Sequence, residues 1–367
     1  MIFDFVLLIV GVFLSSVVMV ALILKISRRM AWYDRISERK IHKGNIPRLG
    51  GLGFAVSFIA WSFVISARLT EFSPDLRFFP LLAALILVLA SGICDDFRPL
   101  APRYRLVFHT GAALCVLVSG YTFKRVLFAE SGDLAVPGWD LLRYPVSFLW
   151  IVGMTNAINF IDGIDGLAGG VSLLAALSFG IVSEVSGITP LFCVCLASAV
   201  LGFMVFNAPC PRAKIFMGDG GAYFLGFTLA LFPLMGDQGL PVFHAAAVLM
   251  IPIMDTIAAV WRRLRDGRRI DSPDRFHTHH KLMNLGLSAR RIDAVLFALQ
   301  IILGLLVYAA VKIPGRFSLI PLALAYAAGI GFFVVIHFLN RRYALAVGSA
   351  FPGGNSAGPG PESRLFP

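Results

Sequence analysis

Between Asn156 and Gly170 the chain places two amides, two carboxylates and four glycines where one apolar segment ends and the next begins. Asn156, Asn159, Asp162 and Gly163 recur at three- and four-residue spacing, so a helix continued that far would put them on one face. Asp165 follows one short turn later. Carboxylates at such a place are costly unless they meet water, a partner or a cation. A Gly-rich turn with polar capping explains the glycines and one polar residue, but not two Asn and two Asp in ten positions.

Four other polar stretches carry residues of related chemistry. Asp95-Asp96-Phe97-Arg98-Pro99 closes an apolar run. A helix C-terminus is already partly negative, so paired carboxylates there call for a divalent cation or for Arg98, Arg103 and Arg105 to balance them. Asn207 opens a loop that leads through Lys214 and Phe216 to Gly218-Asp219-Gly220-Gly221. Asp219 starts a helix, where capping alone would suit it, and where a bound phosphate would be favoured too. Arg39 to Gly53 includes Lys43 and Pro47-Arg48-Leu49-Gly50-Gly51, either a topogenic basic loop or a holder of phosphate oxygens with glycines that let the backbone approach. Ser272 to Leu282 carries His277, His279 and His280. That spacing invites zinc, but cysteine partners are absent and the other loops offer hard oxygen donors, which suit Mg²⁺ or Mn²⁺. A diphosphate and sugar clamp fits the histidines and their basic neighbours better. Taken together, the residue types predict one metal-dependent phosphoryl-transfer site.

The elements that must position these groups are membrane spans. The chain is 58% hydrophobic and 14% charged over 367 residues, with a mean hydropathy of +0.81; a soluble domain has about 25% charged residues. Eleven apolar segments near the length a bilayer needs lie at about 3–24, 50–68, 78–94, 106–120, 144–159, 165–183, 189–206, 220–235, 241–260, 293–311 and 317–338. Helices are the form expected for each. This predicts an all-α polytopic integral membrane protein with about eleven spans, the N-terminus outside, the C-terminus cytoplasmic and the active site in cytoplasmic loops. The segments assigned to the cytoplasm hold 25 of the 32 Lys and Arg, a strong positive-inside bias. Asp4 and the absence of a basic leader fit a retained first span rather than a signal peptide. The net charge of +11 reports orientation and headgroup contact, with no nucleic-acid partner expected. Within the external segment 121–143, Val126-Leu127-Phe128 and Leu134-Ala135-Val136 around Glu130 to Asp133 predict a short hairpin, residues 1–342 a single transmembrane catalytic domain, and the Gly/Pro/Ser-rich residues 343–367 a disordered tail. The five cysteines lie in or beside apolar runs without metal-ligand spacing. Asp255 reads as a supporting group near the inner face, and His109 and His244 as satisfied core histidines.

Pro47-Arg48-Leu49-Gly50-Gly51, Asp95-Asp96, Asn156 to Gly166, Phe216-Met217-Gly218-Asp219 and His277-Thr278-His279-His280, in this order, resemble the polyprenyl-phosphate N-acetylhexosamine-1-phosphate transferases, of glycosyltransferase 4 type. The resemblance covers about residues 1–340 and looks more like the WecA and TagO branch than the MraY branch. It departs at Phe97-Arg98-Pro99, which lacks a third acid used by some members. The resemblance implies transfer of an N-acetylhexosamine-1-phosphate, GlcNAc-1-phosphate first, from a UDP-N-acetylhexosamine to undecaprenyl phosphate. UMP would leave, and a cell-surface or cell-wall polysaccharide would begin at the bacterial cytoplasmic membrane. It implies Asp219 and Asn156 at the Mg²⁺, Asp95 and Asp96 near the lipid phosphate with one of them a candidate base, and Asp95, Asp96, Asp162 and Asp165 as the catalytic carboxylates. Asp162, Gly163, Ile164 and Asp165 fall to the strip near metal and uridine, with Asn159, Asn207 and Phe216 toward the nucleotide. Lys43, His277, His279 and His280 become phosphate or sugar contacts. A homodimer is compatible with it. The alternative within the same chemistry is another UDP-N-acetylhexosamine, such as a deoxy-amino sugar, or the UDP-MurNAc-pentapeptide donor; the rival classes are a transporter, which would place ionisable groups near the bilayer midplane, and an inactive scaffold.

Overall fold

A computed structural model describes residues 2–33, 45–69, 78–127, 136–183, 189–208, 212–236, 239–272, 274 and 276–349. Lys43, the centre of the expected external hairpin and residues 350–367 lie outside them.

Among the described residues the architecture is all-helical, with no strand. The helices are α1 (Ile2–Arg29), α2 (Gly50–Leu69), α3 (Phe78–Phe97), α4 (Pro102–Val118), α5 (Trp139–Ile161), α6 (Leu167–Val182), α7 (Thr189–Asn207), α8 (Gly218–Leu231), α9 (Val242–Val248), α10 (Met250–Arg265), α11 (Thr278–Asn284), α12 (Ala289–Lys312) and α13 (Leu319–Ser349). Seven are long and apolar enough to cross a membrane, and α9 with α10 adds an eighth if the bent pair is one span. Each expected apolar segment contains a helix, but α4, α6 and α8 fall short of the usual crossing length at 17, 16 and 14 residues.

Helix α8 is the axis of the bundle. From Gly220 to Leu231 every residue is buried, and α2, α3, α5 and α6 pack around it. Small residues bring the backbones together, as helices without a hydrophobic drive between them require. A Cβ on Gly51 would collide with the backbone of Gly221, and one on Gly92 with that of Gly220. These two contacts fix the starts of α2 and α8 and the last turns of α3 at one end of the bundle.

The ninth apolar segment is not one straight helix. It bends by 88° between α9 and α10. Pro252 has no N–H to donate to the carbonyl four residues back, Val248. Gln300 of α12 supplies that bond instead, its Nε2 lying 2.9 Å from Val248 O.

Candidate functional site

The ends of α3, α5 and α8 meet the segment before α2. Phe216 N donates to Pro47 O at 2.7 Å, Gly50 N to Phe216 O at 2.9 Å and Gly51 N to Met217 O at 2.8 Å, so the two segments are laced together. Gly218 turns the chain into α8 with φ +76°, and a Cβ there would strike the Arg48 carbonyl oxygen. Only glycine meets both demands.

Asp96 closes the start of α8. Its Oδ1 accepts from Asp219 N at 2.9 Å and its Oδ2 from Gly220 N at 3.1 Å. It therefore caps, from another helix, the amides that a helix N-terminus leaves without partners. Arg48 Nε donates to Asp96 Oδ1 at 2.9 Å, while Arg48 Nη2 spans Asp96 at 2.8 Å and Asp219 Oδ2 at 3.1 Å. Asn159 Nδ2 donates to the other Asp219 oxygen at 2.7 Å.

Asp95 faces a different set of donors. Leu100 N reaches its Oδ1 at 2.7 Å, and Arg105 Nη1 and Tyr223 Oη both reach its Oδ2 at 3.3 Å. Arg105 is thus the balancing cation among the three arginines that follow the aspartate pair. Asn156 points away from Asp219: its Nδ2 meets His109 Nδ1 at 3.2 Å and Val152 O at 2.7 Å. Although Asn156 and Asn159 are a turn apart, their amides serve different helices.

Helix α5 ends at Ile161 and Asp162 is its C-cap. Burial, together with Asp219, Asp96 and Asp165, pushes the Asp162 carboxyl up to about 8. Asp165 Oδ2 accepts from Ala213 N at 3.3 Å. Asn207 ties the turn between α5 and α6 to the turn before α8, accepting from Gly166 N and donating to Ile215 O, both at 3.0 Å. Ile164 packs against the core, and Phe216 is half-buried with its backbone committed to the α2 segment.

The histidines ride on the short helix α11. Asp255 of α10 anchors its start, accepting from His277 Nδ1 at 2.5 Å, Thr278 N at 2.7 Å and Thr278 Oγ1 at 2.6 Å. Buried Asp274 takes two bonds from Arg262, at 2.6 and 3.2 Å. The Phe160 ring of α5 lies tilted beside His277, their centroids 5.7 Å apart, and the Arg263 guanidinium carbon lies 5.5 Å from the Phe160 centroid. His277 and His279 lie parallel, 6.0 Å apart. His279 is buried against Gly163, where any Cβ would collide with its ring. Burial and then His280 pull the His279 imidazole down to about 3, so it is neutral at ordinary pH and offers a hydrogen bond rather than a charge.

The structure therefore brings Asp95, Asp96, Asp162, Asp165, Asn159, Asn207, Phe216 and Asp219 to one end of the bundle, with Gly163 linking that group to His279 and so to His277 and His280. Asn156 sits one layer deeper, and Lys43 lies outside the described residues. Tyr223 was not among the expected residues: in an apolar span its sequence signal is that of a core aromatic. Arg48 stood in the Pro47-Arg48-Leu49-Gly50-Gly51 motif but was not among the expected site residues.

Among the described residues no three His, Cys, Asp or Glu side chains by themselves enclose an ion. The donor set nevertheless fits Mg²⁺, which is held by one or two carboxylates and completes its shell with water and substrate phosphate. Asp219 and Asp162 are hard oxygen donors, and the negative charge of neighbouring Asp219, Asp96 and Asp165, which adds to burial in raising Asp162, is what a divalent cation would offset.

An α-helical membrane bundle with carboxylates, amides and guanidinium groups gathered at one end defines a membrane enzyme of phosphate chemistry. Residues 78–237 match glycosyl transferase family 4. The chain is 34% identical over 308 residues to the probable undecaprenyl-phosphate N-acetylglucosaminyl 1-phosphate transferase of Bacillus subtilis (strain 168), covering 80% of this chain and 82% of that one. It is 28% identical over 294 residues to the undecaprenyl-phosphate alpha-N-acetylglucosaminyl 1-phosphate transferase of Escherichia coli (strain K12), 77% of each chain, and 29% identical over 292 residues to its Yersinia pestis counterpart. The chain belongs to the polyprenyl-phosphate N-acetylhexosamine-1-phosphate transferase superfamily, of glycosyl transferase family 4.

Proposed function

We propose that this protein transfers GlcNAc-1-phosphate from UDP-GlcNAc to undecaprenyl phosphate, releasing UMP and leaving a lipid-linked diphosphate sugar that starts a surface or cell-wall polysaccharide. The observation that carries the reading is the meeting of Asp95, Asp96, Asp162 and Asp219 with Arg48, Arg105 and Asn159 at one end of the bundle. Family membership supplies the reaction class, and the names of the relatives supply the acceptor and the sugar.

The acceptor is a lipid and the donor is water-soluble, so the site belongs at the membrane surface. The 25-to-7 distribution of Lys and Arg supports the cytoplasmic face, eleven crossings and an outside N-terminus. An oxygen of the lipid phosphate attacks the sugar-linked phosphorus, and the bond from that phosphorus to the bridging oxygen of UMP breaks. Such transfer needs chiefly positioning and neutralisation of charge. Asp219 and Asp162 would hold Mg²⁺, with Mn²⁺ as a substitute, and Asn159 orients the Asp219 carboxylate for it. When bound, the ion would offset the negative charge of the diphosphate. Asp96 keeps Asp219 in place through the start of α8. Asp95, held by Arg105 and Tyr223, faces the acceptor side, where the phosphate monoester is already largely anionic and needs little help from a base. Phe216 and Asp165 face the nucleotide side, where Asn207 holds their two turns together, and α11 brings His280 toward the diphosphate and sugar with buried His279 behind Gly163.

Purified protein with undecaprenyl phosphate, Mg²⁺ and a panel of UDP-sugars tests this. The expected result is lipid-dependent UMP release with UDP-GlcNAc. Folded protein that releases no UMP from any UDP-sugar would overturn it.

A further inference from the structure

The carboxylates at the start of α8 are not equally served. Asp96 has two backbone amides and both donors of the Arg48 fork. Asp219 has Asn159 on one oxygen, and on the other the longer arm of a guanidinium nitrogen it shares with Asp96, 3.1 Å against 2.8 Å. The Arg48 main chain is fixed by the lacing of Pro47, Gly50 and Gly51 to residues 216 and 217. The Arg48 side chain is 20% exposed, against 2% for Asp96. A guanidinium keeps its charge at any working pH, so it cannot leave a carboxylate by losing a proton; it leaves only by exchange. Arg105 balances Asp95, but one monovalent cation bridging Asp96 and Asp219 leaves that pair negative, and a divalent ion on Asp219 would displace the weaker arm. The freed nitrogen is a planar donor suited to phosphate oxygens.

On this basis, and resting on the function proposed above, we propose that Arg48 is an exchangeable counter-ion of Asp219. Its Nε stays on Asp96 while Nη2 passes from Asp219 to the diphosphate of the nucleotide sugar as Mg²⁺ takes the Asp219 oxygen. Cation binding and donor binding are thereby coupled through one side chain. Arg48 is then a substrate contact in the loaded enzyme and a competitor of the metal in the empty one.

The competition gives a readout that does not depend on turnover. Full-length protein in detergent is melted across a Mg²⁺ titration after chelator treatment, as wild type, Arg48→Gln and Arg48→Lys. Arg48→Gln is expected to melt lower in chelator, yet to reach half of its Mg²⁺ stabilisation at a several-fold lower concentration, because the competitor is gone. Arg48→Lys, which keeps a charge without the fork, is expected to hold the wild-type Mg²⁺ midpoint while KM for UDP-GlcNAc rises about tenfold, the loss of one charge-assisted bond. A Mg²⁺ midpoint in Arg48→Gln equal to or above that of wild type would overturn the exchange, as would an unchanged donor KM in Arg48→Lys. Should Arg48→Gln fail to fold, the Arg48→Lys donor KM decides. Either contrary result with wild-type UMP release intact leaves the transferase reading standing; wild type that neither responds to Mg²⁺ nor releases UMP would remove both.

Discussion

The carboxylate end of α3, α5 and α8 and the histidine helix α11 are both polar, and they handle charge in opposite ways. Around α11 each buried acid has its own complement: Asp255 takes three donors from His277 and Thr278, and Asp274 takes a two-pronged Arg262. Nothing there asks for a further cation. At the carboxylate end Asp96 and Asp219 share Arg48 while Arg105 serves Asp95, and Asp162 lies beside them with its carboxyl raised first by burial and then by the charges of Asp219, Asp96 and Asp165. Pairing that is complete fixes geometry; pairing that is incomplete leaves work for a ligand. The first region places groups, and the second binds and neutralises.

The sharpest way to break this contrast is Asp219→Asn, which keeps the Asn159 and Arg48 neighbourhood but removes a charge. Turnover should fall by about 10³-fold or more, the scale of losing a principal electrostatic group, with insertion and helical content unchanged in circular dichroism. Asp96→Asn should cost less in turnover, on the order of 10²-fold, but should also lower stability by about 1–3 kcal/mol, because one of the two amides at the start of α8 then faces an NH2 group in place of its acceptor; a thermal melt beside the kinetics separates the two effects. Asp255→Asn tests the other region. Stability should drop by about 1–3 kcal/mol as the anchor of α11 weakens, with a rise in donor KM larger than any fall in kcat. Equal losses in kcat and kcat/KM would move α11 into the reacting group itself.

Acid offers a smaller, local test. Burial alone would raise the Asp274 carboxyl, but the Arg262 bond, the Phe276 amide and the Arg262 charge outweigh it and leave it below the ordinary 3.8. A depressed carboxyl contributes stability that is complete above pH 3.8 and is lost as the pH falls through the lower, folded value. Hydrogen exchange at Phe276 should therefore stay slow down to about pH 4 and quicken below it, while Asp274→Asn should remove that acid step.

Much of the framework is written in the chain. Every expected apolar segment contains a helix, because lipid leaves the backbone few alternatives. Asp219 at a helix start follows from the glycines around it. The bend at Val248 was legible only in half: Pro252 marks the missing donor, but Gln300, which mends it, is 52 residues away. Separation in sequence hides the site's wiring as well. Arg48, Asp96 and Asp219 lie on three separate segments, and no local pattern says which cation meets which acid. Helical spacing set Asn156 and Asn159 on one face, yet packing sent one to His109 and the other to Asp219. The clash space beneath His279 is equally invisible, since it depends on Gly163 of another segment.

The central claim is that Asp219 sits in an incompletely neutralised cluster that works through a divalent cation. Its most direct test is lipid-dependent UMP release from UDP-GlcNAc by wild type and Asp219→Asn, measured side by side across a Mg²⁺ titration. The account predicts a saturable Mg²⁺ response in wild type and almost no activity at any Mg²⁺ concentration in the variant. Near-normal turnover by Asp219→Asn at low Mg²⁺ would contradict it.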